Sequence, residues 1–140
     1  MCIVIDANAA HKLRGADPDG APVLSWLLRG RGKLVVSKEL LDELARTAIR
    51  PILVTLERAG KLIRANEARC GQLVEQLTAS ELPVSNDVHI LALVVVTTCD
   101  VIFTHDQPLH RDLKNRAVVP HHCAIYQTAD HRALLGECRC

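Results

Sequence analysis

Four acidic residues stand beside apolar segments of this chain. Asp6 follows "CIVI" (Cys2–Ile5), Glu43 lies in "KELLDELARTAI", Asp87 precedes "VHILALVVV", and Asp106 follows "DVIFT" (Asp100–Thr104). Carboxylates brought to one place repel one another, and a divalent cation is the usual means of neutralising them. Donors that are all oxygen select a hard ion such as Mg2+ or Mn2+. Such an ion binds phosphate oxygens and lowers the pKa of a bound water, which points to phosphodiester hydrolysis. Taken singly, each acid also has a plainer reading as a cap at the end of a helix or strand. The conjunction of four favours the ion.

The elements that must position these acids alternate between two periods. "CIVI", "KLVV" (Lys33–Val36), "KLIRA" (Lys61–Ala65), "DVIFT" and "AIYQT" (Ala124–Thr128) are short, apolar and rich in β-branched residues, and so predict five buried strands. Between them the spacing predicts helices. These are "ANAAHKL", "APVLSWLLRG" closed by glycine, "KELLDELARTAI" with Ser37 as its cap, a helix opening at Pro51, "EARCGQLVEQLTAS", one beginning near Asp87, a short one near Leu109–Leu113, and "ADHRALL". "GADPDG" (Gly15–Gly20) is a turn cluster in which Asp17 and Asp19 form turns. Alternating strands and helices imply an α/β fold with a parallel sheet covered on both faces. In such sheets functional groups gather beyond the carboxyl ends of the strands. Asp6 and Asp106 belong there. Asp87, at a helix start, sits in a field that favours its charge. Glu43 lies six residues past Ser37, roughly 9 Å along its helix. Asp100 opens the strand that Asp106 follows and belongs to the opposite edge.

The 140 residues fit one domain spanning 1–140, with no repeat or linker. Apolar residues make up 49%, and there is one Trp, one Tyr and one Phe, so the core must be aliphatic and a platform for stacking bases is not to be expected. Net charge of +1 neither demands nor excludes a nucleic-acid partner. Asp6 interrupts the first apolar run, and Val88–Val96 falls far short of the ~18 residues a membrane span needs. A cytoplasmic protein with reduced thiols is the expectation, with no membrane partner.

The same residues resemble the PIN domain family of metal-dependent nucleases over nearly the whole chain. "IVIDANAA" is similar to the family's first strand and its acid. "VVSKELLDELAR" is similar to the second strand and the acidic helix, and "SNDVHILALVVVTTCDVIFTHD" to the third acid, apolar helix, fourth strand and T-x-D element. "LKNRAVVPHHCAIYQTADHRALL" looks like the tail of a subgroup found among VapC-like toxin components. The resemblance implies a three-layer α/β/α domain around a five-stranded parallel sheet. It implies an endoribonuclease with Asp6, Glu43, Asp87 and Asp106 as ligands of one or two Mg2+ or Mn2+ ions. It also implies supporting roles for Asn8 and Thr104, RNA as substrate, a small antitoxin as partner, and a homodimer. Two places depart from the pattern: His105 inside T-x-D, and Val94–Val96 where relatives carry small alanines.

Other residues admit rival readings. His11, His105 and His110 could each contact phosphate or relay a proton, His105 being the best placed of the three. The alternative for each is an exposed loop histidine. Glu39 shares a helix face with Glu43, but its place in the first turn is explained by the dipole. Asp112 is a further acid that could act behind the site, and the favoured reading puts it on the surface beside Arg111 or Lys114. "HHC" (His121–Cys123) and the terminal "CRC" (Cys138–Cys140) raise zinc, but the spacing matches no common finger. Arg14, Arg29, Arg31, Lys33, Arg46 and Arg50 could line a phosphate groove or form a solvated face. The rival to a nuclease is a PIN-like module that binds RNA or protein without turnover. An aspartyl phosphotransferase ranks last, because "DAN" lacks a second Asp.

Overall fold

A computed structural model describes residues 2–137. Five strands form an all-parallel sheet: β1 (Cys2–Ile5), β2 (Lys33–Val36), β3 (Leu62–Arg64), β4 (Val101–Phe103) and β5 (Ala124–Tyr126). Their order is β3-β2-β1-β4-β5. Seven α-helices and two short 3-10 segments connect or follow them among the described residues: α1 (Ala21–Leu28), α2 (Lys38–Ala45), α3 (Arg50–Arg58), α4 (Glu67–Ser80), α5 (Val88–Thr97), α6 (Gln107–Lys114) and α7 (Leu134–Glu137). The 3-10 segments cover Ala7–Leu13 and Ala129–His131. Parallel neighbours require crossovers, and right-handed crossovers place the connections of β1-β2-β3 and of β3-β4-β5 on opposite faces. The result is the three-layer α/β fold that the sequence predicts.

The aliphatic core follows from this layering. A strand covered on both faces needs apolar side chains at every position, and all four residues of β1 are buried. Ile3, Val4 and Ile5 have no exposure at all. Helix α5 is buried from Ile90 to Val94, as its nearly all-round apolar sequence requires. Full burial of each such side chain contributes about 1.5–3 kcal/mol. Phe103 and Tyr126 meet edge to face with ring centroids 4.9 Å apart, and the Tyr126 hydroxyl donates to the Asp19 carbonyl at 2.7 Å.

Several elements depart from the bounds the sequence suggests. Helix α2 stops at Ala45 because Thr47 competes with the backbone ladder: its hydroxyl donates to the Leu44 carbonyl at 2.6 Å and accepts from the Ile49 amide at 3.3 Å. β5 ends at Tyr126, and "ADHRALL" breaks into a 3-10 segment and α7. There His131 Nδ1 accepts from the Gln127 amide at 3.0 Å and closes a capping box with Thr128.

Two side readings are corrected. Asp112 is not a surface acid: it is 2% exposed and accepts the amides of Val84 and Ser85 at 2.9 and 2.8 Å. Cys70, Cys99 and Cys123 are buried, but Cys2 is disulfide-bonded, so the expectation of reduced thiols does not hold for it. His121 is held by structure, its Nε2 lying 3.1 Å from the Cys99 carbonyl. Cys138 and Cys140 lie outside the described residues.

Candidate metal centre

The strand order reverses direction between β1 and β4, which makes their carboxyl ends a topological switch point. Asp6 stands at the end of β1, its amide donating to the Phe103 carbonyl at 3.0 Å, so the two strand ends are bonded together there. Thr104, the residue after β4, has no exposure. Its hydroxyl donates to Asp6 Oδ2 at 2.8 Å and accepts from the Asp106 amide at 3.1 Å. One hydroxyl thus fixes two of the acids. Asp106 then caps α6, accepting from the Leu109 amide at 3.5 Å.

Asp87 arrives from a different element. It caps α5 with its backbone, while its side chain makes no capping bond. Its amide donates to Ser85 Oγ at 3.0 Å. Ser85 in turn hangs from buried Asp112 through its own amide. This chain of bonds sets the loop that delivers Asp87.

Asp6, Asp87 and Asp106 converge so that one carboxylate oxygen from each lies within 4.8 Å of the others. Among the described residues no lysine or arginine pairs with any of them. The carboxyl of Asp87 is pushed up to about 6. Burial is the largest cause, followed by the charge of Asp6 and a hydrogen bond with Asp106, while His89 opposes the rise. Three oxygen donors with unbalanced charge are the donor set that suits a hard divalent cation.

Glu43 does not join this trio. Its Oε1 lies 3.1 Å from Nε2 of His89, a residue that also approaches Asp87 Oδ1 at 3.9 Å. Glu39, Glu43 and His89 form a second cluster of the same tightness, with Glu39 exposed. His89 therefore bridges Glu43 and the trio, and its Nδ1 is buried with no hydrogen-bond partner among the described residues. Sequence reasoning missed His89. The available signal was its place two residues after Asp87 in an otherwise apolar helix, where a polar side chain needs a reason.

The supporting residues are placed as follows. Asn8 is exposed, and its Oδ1 accepts from the His105 amide at 3.4 Å, tying the loop after β1 to the loop after β4. The His105 ring meets Phe103 edge-on at 5.6 Å. Its Nε2 is buried without a partner, and burial, then Lys12 and His11, hold its pKa below the usual imidazole value. His110 is buried, with Nε2 2.9 Å from the Thr104 carbonyl, and so buttresses the strand end from behind. His11 is exposed. Asp100 lies at the amino end of β4, across the strand from the acids, where its carbonyl accepts from Ala124.

Comparison with known proteins returns a likeness in fold. The crystal structure of VapBC2 from Rickettsia felis, bound to a DNA fragment from their promoter, contains a chain that superposes with a TM-score of 0.53 at 17% identity. The match covers 91% of this chain and 99% of that one. No family model and no curated protein matches the sequence.

Proposed function

We propose that this chain is a metal-dependent endoribonuclease of PIN type, organised as one domain. The observation that carries the reading is the convergence of Asp6, Asp87 and Asp106 at the switch point with no cationic partner among the described residues. Asp6, Asp87 and Asp106 would hold a Mg2+ or Mn2+ ion, with Glu43 set beside them through His89. When bound, the ion supplies a Lewis acid for a phosphate oxygen and a water of lowered pKa. The chain's own residues do the rest. Thr104 and His110 lock the end of β4, and Asp112 and Ser85 lock the loop before α5, so the acids are held in place before a ligand arrives. Asn8 and His105 join the two loops that flank the trio. No side-chain nucleophile is required.

The likeness in fold to a chain of a VapBC2 complex agrees with the sequence resemblance to toxin components; on that resemblance the chain would act on RNA in the cytoplasm, be restrained by a small antitoxin and assemble as a homodimer. No helix among the described residues is long and apolar enough to cross a membrane. One observation favours the rival reading of a non-catalytic binding module: Glu43 is bonded to His89 and is not a member of the trio. Incubation with RNA decides between them. Cleavage that needs Mn2+ or Mg2+ and stops with EDTA is expected; binding of RNA without any cleavage under saturating ion would leave the module.

A further inference from the structure

A cavity of about 410 Å³ opens beside β5, between α6 and α7. Its polar wall comprises Lys114, Arg116, His110, His122, His131 and Gln127, and no carboxylate lines it among the described residues. Neither Lys114 nor Arg116 pairs with an acid among the described residues. Arg116 is steadied by donating to the His121 carbonyl. The imidazole of His131 is also fixed: Nδ1 accepts from the amides of Gln127 and Thr128, so the hydrogen it can offer sits on Nε2. A concave wall of two permanent cations and one oriented N–H donor, free of acids among the described residues, suits an anion with several acceptor oxygens.

The cavity is joined to the acid trio by α6. Asp106 caps the start of that helix, while His110 and Lys114 reach the cavity one and two turns on, at most about 12 Å along the axis. His110, which lines the cavity, also bonds the Thr104 carbonyl at the end of β4.

We propose that this cavity is a seat for a phosphate group, and that the group it takes is a phosphate further along the RNA strand whose scissile phosphate meets Asp6, Asp87 and Asp106. The RNA source rests on the nuclease reading; the phosphate seat does not. Permanent charge comes from Lys114 and Arg116, and direction from the Nε2–H of His131. A strand anchored there would be drawn along α6 toward the acids, so the seat would set register without reading a base.

The test has two arms, both run in EDTA so that no cleavage or metal enters. In the first, inorganic phosphate is titrated into the whole protein while imidazole NMR signals are followed. Saturable shifts of His122 and His131, with His11 unmoved, are expected. Shifts of all three alike, or of none, would overturn the seat. In the second, a fluorescent single-stranded oligoribonucleotide is bound at several salt concentrations. Lys114→Gln should weaken binding several-fold and make the slope of log affinity against log salt shallower by about 0.7, the value for one phosphate contact on a single strand. Lys114→Arg should restore both. Arg58→Gln on α3 removes the same charge elsewhere and should leave the slope unchanged. Lys114 is exposed, so its replacement should not disturb folding. If phosphate moves the imidazoles while the RNA slope ignores Lys114, the seat serves a free phosphate and the RNA source is overturned. Failure of the nuclease reading would appear separately, as absent cleavage with ion present.

Discussion

The Thr104 hydroxyl donates to Asp6 Oδ2 at 2.8 Å and accepts from the Asp106 amide at 3.1 Å. The pairing joins residues 98 positions apart in sequence and closes the β1–β4 edge where the strand order reverses. Thr104→Val keeps the shape and the β-branching but removes the hydroxyl. It leaves a buried carboxylate oxygen and an amide without their partner. A loss of roughly 1.5–3 kcal/mol in urea denaturation is expected, together with weaker Mn2+ binding. Thr104→Ser should recover most of both. Unchanged stability in the valine variant would show that the bond contributes nothing.

Asp112 contributes through position rather than contact. It holds the Val84 and Ser85 amides, and Ser85 holds the amide of Asp87. Asp112→Ala should lower stability by roughly 2–3 kcal/mol, since two amides lose a charged acceptor. It should also reduce the thermal shift given by Mn2+, although Asp112 does not belong to the trio. A variant with the parent's melting temperature and the parent's Mn2+ shift would refute this role.

The acids make opposite demands on pH with and without an ion. The folded state raises the Asp87 carboxyl to about 6, against 3.8 for the free group. A raised carboxyl favours the folded state below the free value, and that contribution fades as pH rises through about 6. The ion-free protein should therefore lose some stability between about pH 4 and 7. Protons compete with the ion at the same carboxyl, so stabilisation by Mn2+ should grow across that window. Melting curves with EDTA or Mn2+ at a series of pH values check both trends. Parallel curves would contradict them.

Glu43 is expected to matter less than the trio for holding an ion. His89 Nε2 holds it at 3.1 Å, outside the convergence of Asp6, Asp87 and Asp106. Glu43→Gln should therefore weaken Mn2+ binding less than Asp6→Asn or Asp106→Asn. His89→Ala should release Glu43 and bring the effect of Glu43→Gln closer to that of the trio. Equal losses for all four acids in the parent background would show that the ion draws Glu43 in.

What the sequence reveals is local, and what it hides is relational. Cys2–Ile5, Lys33–Val36 and Glu67–Ser80 are legible as elements to the residue, because their apolar β-branched runs and helical spacing leave plain marks. Asp6, Asp87 and Asp106 are legible because each stands at the end of an apolar run. Glu43 resists this reading because its side-chain partner, His89, comes from another helix, and spacing along one helix says nothing about that neighbour. Asp112 is hidden for a related reason: its flanking Arg111 and Lys114 suggest a solvated face, whereas its partners are the amides of residues 28 and 27 positions away. The early end of α2 turns on the hydroxyl of Thr47, a competition that the apolar stripe running on to Ala48 conceals.

The most direct measurement is a calorimetric titration of Mn2+ into the metal-free protein near neutral pH, repeated with Asp6→Asn and Asp106→Asn. Saturable binding in the parent, lost or greatly weakened in both variants while they remain folded, is the expected result. Heats that do not saturate, or binding that survives both substitutions, would contradict the assignment of a divalent ion to these carboxylates.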